Sequence, residues 1–242
     1  MLVAAAVCPC PPLLVPAVAA GARSELDATR AACADALGVL AAARPDRLIV
    51  VGPAEEAAAG PYPAGATGSF LGFGVDVRVT LGARAERAPD GPAAAPELPA
   101  SLAVAAWLLE QAHWTAAPVT GLAVGERLPT DRCGHAGKEL ADGPGRTVLL
   151  VMGDASACRT LKAPGYLDER AAPFDEEVAR ALEAADTAAL RALDPELAYD
   201  LKVAGRAPWQ LLAGAAEGAR LNGALLHNSA PYGVGYLVAV WS

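Results

Sequence analysis

Residues able to do chemistry gather where apolar runs stop. The run at residues 2–7 is followed by Cys8-Pro9-Cys10, and the run at 48–53 by Ala54 and the carboxylates Glu55 and Glu56. The run at 147–152 leads into Gly153-Asp154-Ala155-Ser156-Ala157-Cys158-Arg159, and His227 closes a further run just before Ser229-Ala230-Pro231-Tyr232-Gly233. Thiolates, imidazoles and carboxylates hold zinc or iron when three or four of them converge. A thiol can also work alone as a nucleophile where a cation or helix start lowers its pKa, and Cys10 or Cys158 beside Arg159 would be the place for that. Carboxylates, hydroxyls and a phenol at such ends can bind a small polar molecule without any metal. On these grounds Cys10, Asp154 and Cys158 are the candidate catalytic residues, and Glu55, Ser156, Ser229, Tyr232 and His227 the candidate ligand contacts.

Each of these groups has a plainer reading. A free cysteine is usually a small buried hydrophobe. Gly-Asp-x-Ser suits a turn in which the side chains bond to the backbone. His113 follows a helical stretch beside Trp114 and reads as a helix end, while His135 stands in a polar helix start and reads as solvated. The segment 121–125 has two glycines but lacks the lysine of a phosphate loop and the dinucleotide spacing, so no nucleotide site is read there.

The elements that would position these residues follow from periodicity. The runs at 2–7, 48–51 and 147–152 read as buried strands, and a helix over 21–43 places Leu26, Cys33, Leu37 and Leu40 on one face. Strand, helix and strand with short connections imply a parallel βαβ unit. Residues 60–74 read as a Gly/Pro loop, 75–79 as an exposed strand and 88–99 as a Pro/Ala loop. A helix over 102–111 is expected to bury Val104, Trp107 and Leu108, with a strand near 119–124 and a short helix at 135–140. A helical block spans 173–218, with Phe174, Val178 and Leu182 at helical spacing, and strands at 221–227 and 234–241 close the chain. The fold class is therefore α/β: a single domain with a central, mostly parallel or mixed sheet flanked by helices.

Composition narrows the partners. The chain has 242 residues, 54% of them hydrophobic, and a net charge of −8. Phosphate binding needs a basic face, so no nucleic-acid partner is expected. Residues 1–7 are apolar but too short to span a membrane and lack the basic start of a signal peptide. Five scattered cysteines do not make a disulfide framework, which points to a reducing cytoplasm. No membrane partner is expected, and self-association into a homo-oligomer is left open.

Six segments in series resemble the class III extradiol dioxygenase (LigB-type) family across nearly the whole chain. Pro9-Cys10-Pro11-Pro12-Leu13-Leu14-Val15-Pro16 is similar to the family's Pro-His-Pro-Pro opening, and Pro45-Asp46 with Ile49-Val50-Val51-Gly52-Pro53-Ala54 to its strand ending in Ser-Pro-His. Phe70-Leu71-Gly72-Phe73-Gly74 resembles its Gly/Phe hairpin, and Gly153-Asp154-Ala155-Ser156 its Gly-Asp-Leu-Ser-His loop. Phe174-Asp175-Glu176-Glu177 and Pro231-Tyr232-Gly233-Val234-Gly235-Tyr236 resemble two later blocks.

The resemblance implies ferrous iron on two histidines and a glutamate, with another histidine as acid/base. Here the first ligand position falls on Cys10, the second on Ala54 and the carboxylate on Ser229. The acid/base position falls on Ala157, or on Cys158 if the loop is shifted by one, and a further family histidine near Ala100. No metal ligands are assigned and no cofactor is expected. The function implied is a non-catalytic or repurposed family member binding a small molecule or protein. The alternatives are an enzyme with a rebuilt metal or thiol site from Cys8, Cys10, Cys158, His227 and Glu55 or Asp154, and a working extradiol dioxygenase. A residual cleft is expected to gather Cys10, Glu55, Asp154, Ser156, Cys158 and Ser229, with Tyr232 at its edge. With Glu55 and Asp154 relieved mainly by Arg159, it would suit a neutral or cationic ligand.

Overall fold

The computed structural model describes residues 1–83 and 96–242, so residues 88–95 of the expected Pro/Ala loop lie outside the described residues. The apolar runs become strands because β-branched and small apolar residues suit a pleated surface buried on both sides. The strands are β1 (Leu2–Cys8), β2 (Arg47–Ala54), β3 (Gly60–Tyr62), β4 (Thr67–Ser69), β5 (Arg78–Thr80), β6 (Val119–Gly125), β7 (Thr147–Met152), β8 (Gly223–Ser229) and β9 (Tyr236–Trp241). The helices are α1 (Pro16–Ala19), α2 (Asp27–Ala42), α3 (Ala100–Gln111), α4 (Thr130–Ala141), α5 (Ala171–Glu183), α6 (Thr187–Arg191), α7 (Pro195–Asp200) and α8 (Arg206–Ala215).

One seven-stranded sheet, ordered β3-β6-β2-β7-β1-β9-β8, forms the centre, and β4 pairs with β5 in a separate ribbon. Strands β6, β2, β7 and β1 are parallel, while β3 and β9 run against their neighbours and β8 runs against β9. The mixed sheet follows from the connections: helices return the chain for parallel pairing, whereas the turn between β8 and β9 reverses it.

The two-residue alternation of each strand feeds two cores. Ala4, Ala6, Cys8, Leu48, Val50, Leu150 and Met152 face α2 and α3. Ala5, Val7, Ile49, Val51, Leu149 and Val151 face α5 and α8. On α2, Leu37 and Leu40 are at most 2% exposed, and burying each contributes about 1.5–3 kcal/mol. The single αβ domain expected from the apolar runs is the architecture observed.

Several boundaries differ from expectation. Residues 20–26 form a 3-10 stretch, and the α-helix starts only at Asp27, where no side chain caps it. The loop expected at 60–74 contains β3 and β4, and β5 starts at Arg78. In short Gly/Pro-rich pieces, tertiary pairing outweighs local propensity. Trp107 is only partly buried, and α4 begins five residues earlier than the expected 135. The closing strand expected at 221–227 belongs to the sheet as β8, starting at Gly223 on its edge, where it alternates between half-buried and exposed. No helix of the described residues is long and apolar enough to cross a membrane.

Candidate functional site

The ends of β2, β7 and β1 lie side by side, and the start of β9 completes the row. The chain after β1 and the chain after β7 meet there: Gly153 N–H donates to the Cys8 carbonyl at 3.0 Å, and Cys10 N–H donates to Asp154 Oδ1 at 2.7 Å. Gly153 permits this crowding. A Cβ on it would come within 2.4 Å of the Gly205 Cα, where Gly205 N–H donates to the Asp154 carbonyl at 2.9 Å.

Burial pushes the Asp154 carboxyl up to about 7, against the pull of the Cys10 N–H. A carboxyl titrating there can give or take a proton near neutral pH. Burial, reinforced by Asp154, raises the Cys10 thiol well above its ordinary value. Tyr236 is 2% exposed, and its phenol is raised by burial first and then by the charges of Asp154, Tyr232 and Cys10. The Tyr232 hydroxyl is shielded from solvent and makes no hydrogen bond of good geometry among the described residues. Burial and the nearby Glu25 hold its pKa up. Cys10, Tyr232 and Tyr236 are thus protonated at neutral pH around Asp154, which titrates there.

The other sequence candidates go elsewhere. Ser156 is fully buried and turned into the fold: its N–H and Oγ both donate to Asp175 at 2.8 Å. Arg159 donates to the same carboxylate at 3.0 Å, so it does not relieve Asp154. Burial still raises the Asp175 carboxyl, with those donors working against it. Cys158 belongs to the core on the α5 side, where its thiol points to the Leu201 carbonyl at 3.5 Å and burial raises its pKa. It is therefore no partner for Cys10, which packs in the opposite core. Two residues along a loop crossing the sheet end are enough to change faces.

His227 and Ser229 stay together but turn to α2. His227 Nε2 lies 2.8 Å from Ser229 Oγ and 3.0 Å from Thr29 Oγ1, and burial lowers its pKa. Glu55 is exposed. Cys8 faces Cys33 of α2, and that contact, with burial, raises its thiol. The Cys-Pro-Cys segment therefore splits between a core contact and the sheet end. Among the described residues, no group of three His, Cys, Asp or Glu side chains could hold a metal ion.

Three residues gained weight only in the structure. Tyr236 and Asp175 stood in the quoted blocks without an assigned role. Arg206, 2% exposed in the first turn of α8, was not singled out. Its signal was an arginine embedded between Val203-Ala204-Gly205 and Ala207-Pro208-Trp209.

Fold and site define a mixed open-sheet α/β protein with a polar cluster at the strand ends, the edge where such sheets bind ligands. No protein-family profile matches the chain, and neither does any curated protein. A solved structure with the same fold is that of the uncharacterized protein JW3007 from Escherichia coli K12. It has a TM-score of 0.55 and 14% identity and covers 99% of both chains.

Proposed function

We propose that this chain is a class III extradiol dioxygenase-like (LigB-type) protein that no longer opens catechol rings and instead binds a small molecule or a protein partner. The serial order of its sequence blocks supports the family part of this reading. One observation carries the functional part. Cys10, at the position of the first iron ligand, is a desolvated thiol whose own N–H is committed to Asp154, and β2, on the far side of β7, ends in Ala54.

A facial triad needs two imidazoles and a carboxylate on one side of the metal. Cys10, Ala54 and Ser229 do not supply that set, and Ala157 cannot move a proton. The donors do not fit ferrous iron. Protein purified without an affinity tag should therefore carry far less than stoichiometric iron, and protocatechuate with added ferrous iron should not be cleaved. Stoichiometric iron together with turnover of protocatechuate would overturn the reading.

A second reading, an enzyme remade in the same place, draws on Asp154. Its carboxyl titrates at about 7 and is suited to proton transfer. The thiol version of that reading is weakened, because burial keeps Cys10 and Cys158 protonated at neutral pH.

A further inference from the structure

We propose that the cavity between the end of β6 and the α7–α8 connection binds a small organic oxyanion, a carboxylate or a phosphate monoester, gripped by Arg206 and Lys202. The cavity has a volume of about 280 Å³ and is lined by Glu126, Ala198, Tyr199, Lys202, Val203 and Arg206. It lies at the sheet edge where the parallel strands end, since Glu126 directly follows β6. Ligand sites are commonly about 300 Å³ or more, so the space suits a one-ring acid better than a nucleotide.

Arg206 carries the argument. Only 2% of it is exposed, yet its near neighbours are neutral groups. Nη1 donates to the Leu128 carbonyl at 2.6 Å and to Gln210 Oε1 at 3.0 Å, with Cys133 Sγ a weaker acceptor at 3.9 Å, and Nη2 donates to the Glu126 carbonyl. A guanidinium has five N–H donors. Nε–H and one Nη2–H are therefore left without an acceptor among the described residues. The carboxylate of Glu126 is exposed and attracts Arg206 without forming an ion pair among the described residues. Buried charges are normally paired, and a buried guanidinium without a counter-charge is costly. An anion in the cavity would supply that charge.

The remaining lining fits an organic anion. Lys202 adds a second cation at the rim, on a residue whose left-handed backbone (φ 56°) turns the chain out of α7. Ala198 and Val203 are buried apolar walls. Arg127 lies over the Tyr199 ring, 3.7 Å from its centroid, which brings a third cation to the same side. Arg206 also opens α8, so the partial positive charge of that helix start adds to the field. None of the lining residues belongs to the blocks that carry the LigB-type resemblance, so the inference stands apart from that reading.

Calorimetric titration of the full chain with benzoate, phenyl phosphate and neutral benzamide, at low ionic strength, tests it. The expected result is one saturable site for benzoate or phenyl phosphate and none for benzamide, the tighter anion telling carboxylate from phosphate. Lys202→Glu, a change on an exposed side chain, should weaken that binding roughly tenfold or more, and Arg206→Gln should abolish it. If Arg206→Gln does not fold, Lys202→Glu decides alone. Three results overturn the proposal: no saturable anion binding, benzamide binding as well as benzoate, or binding unchanged by Lys202→Glu.

Discussion

Asp154 is a residue whose environment departs far from what its type suggests. Its carboxyl rises from 3.8 to about 7 in the fold. A folded pKa above the unfolded one means that the native state holds the proton more tightly. The penalty is therefore absent below pH 3.8, grows as pH rises from 3.8 to about 7, and is complete above that. At about 1.4 kcal/mol per pH unit the full penalty is on the order of 4 kcal/mol. Asp154→Asn keeps an acceptor for the Cys10 N–H and removes the charge. It should stabilise the protein by about 1–3 kcal/mol at pH 8 and by little at pH 4, read from urea unfolding at both values. The thiols allow a second check. All five cysteines are buried; burial raises Cys10, Cys133 and Cys158, and the Cys33 contact followed by burial raises Cys8. A thiol reagent at pH 7 should find almost no reactive cysteine in the native protein and all of them in denaturant. Fast labelling of Cys10 would show an open cleft instead. Residue type and position at strand ends made Cys10 and Asp154 legible from the sequence. Cys158 and Ser156 misled because the direction of a loop side chain is set by its partners, here Leu201 and Asp175.

At the level of elements, the tightest joint is between α4 and α8. A Cβ on Gly137 would come within 2.0 Å of the Leu211 carbonyl oxygen, and one on Gly214 within 2.2 Å of the Gly134 carbonyl oxygen. Backbone stands against backbone there, so no side chain can yield. Gly137→Ala should cost about 2–4 kcal/mol by forcing the helices apart. Gly134→Ala tests the explanation on the same helix, because a Cβ at 134 meets nothing within 4 Å. It should be neutral or stabilise by up to about 1 kcal/mol through helix propensity. Thermal unfolding of the two variants side by side separates close packing from a general intolerance of change in α4. Caps act on a smaller scale. The Asp194 side chain accepts from Glu196 N–H at 2.8 Å and Leu197 N–H at 3.3 Å, and Asp194→Ala should cost about 1 kcal/mol.

Across the whole molecule, both cores are built on the same central strands. Val50 and Val51 are neighbours on β2 yet belong to opposite layers, as do Leu149 and Leu150 on β7. Neither layer can lose its packing without exposing the sheet that supports the other. Unfolding followed by far-ultraviolet circular dichroism and by the fluorescence of buried Trp209 and Trp241 should therefore give coincident transitions. Two separated transitions would mean that the layers melt independently. The sheet also sets where function belongs. Its strand-end edge carries the Cys10–Asp154 cluster and the Arg206 cavity, whereas the larger cavity of about 640 Å³ lies around Met1 and Leu2, where β1 starts.

The central strands and the apolar face of α2 were readable in advance, because burial on both sides writes continuous apolar runs and helical spacing into the chain. Proximity of Cys10 and Asp154 followed from the same reading, since parallel strands bring their ends to one edge. Which charges face each other was decided only in three dimensions. Asp175 gathers Ser156 and Arg159 from a different loop, and Arg206 is buried against carbonyls about 80 residues away in the chain. Periodicity records whether a residue is covered by solvent or protein. It does not record what covers it, and for a buried charge that partner determines the chemistry.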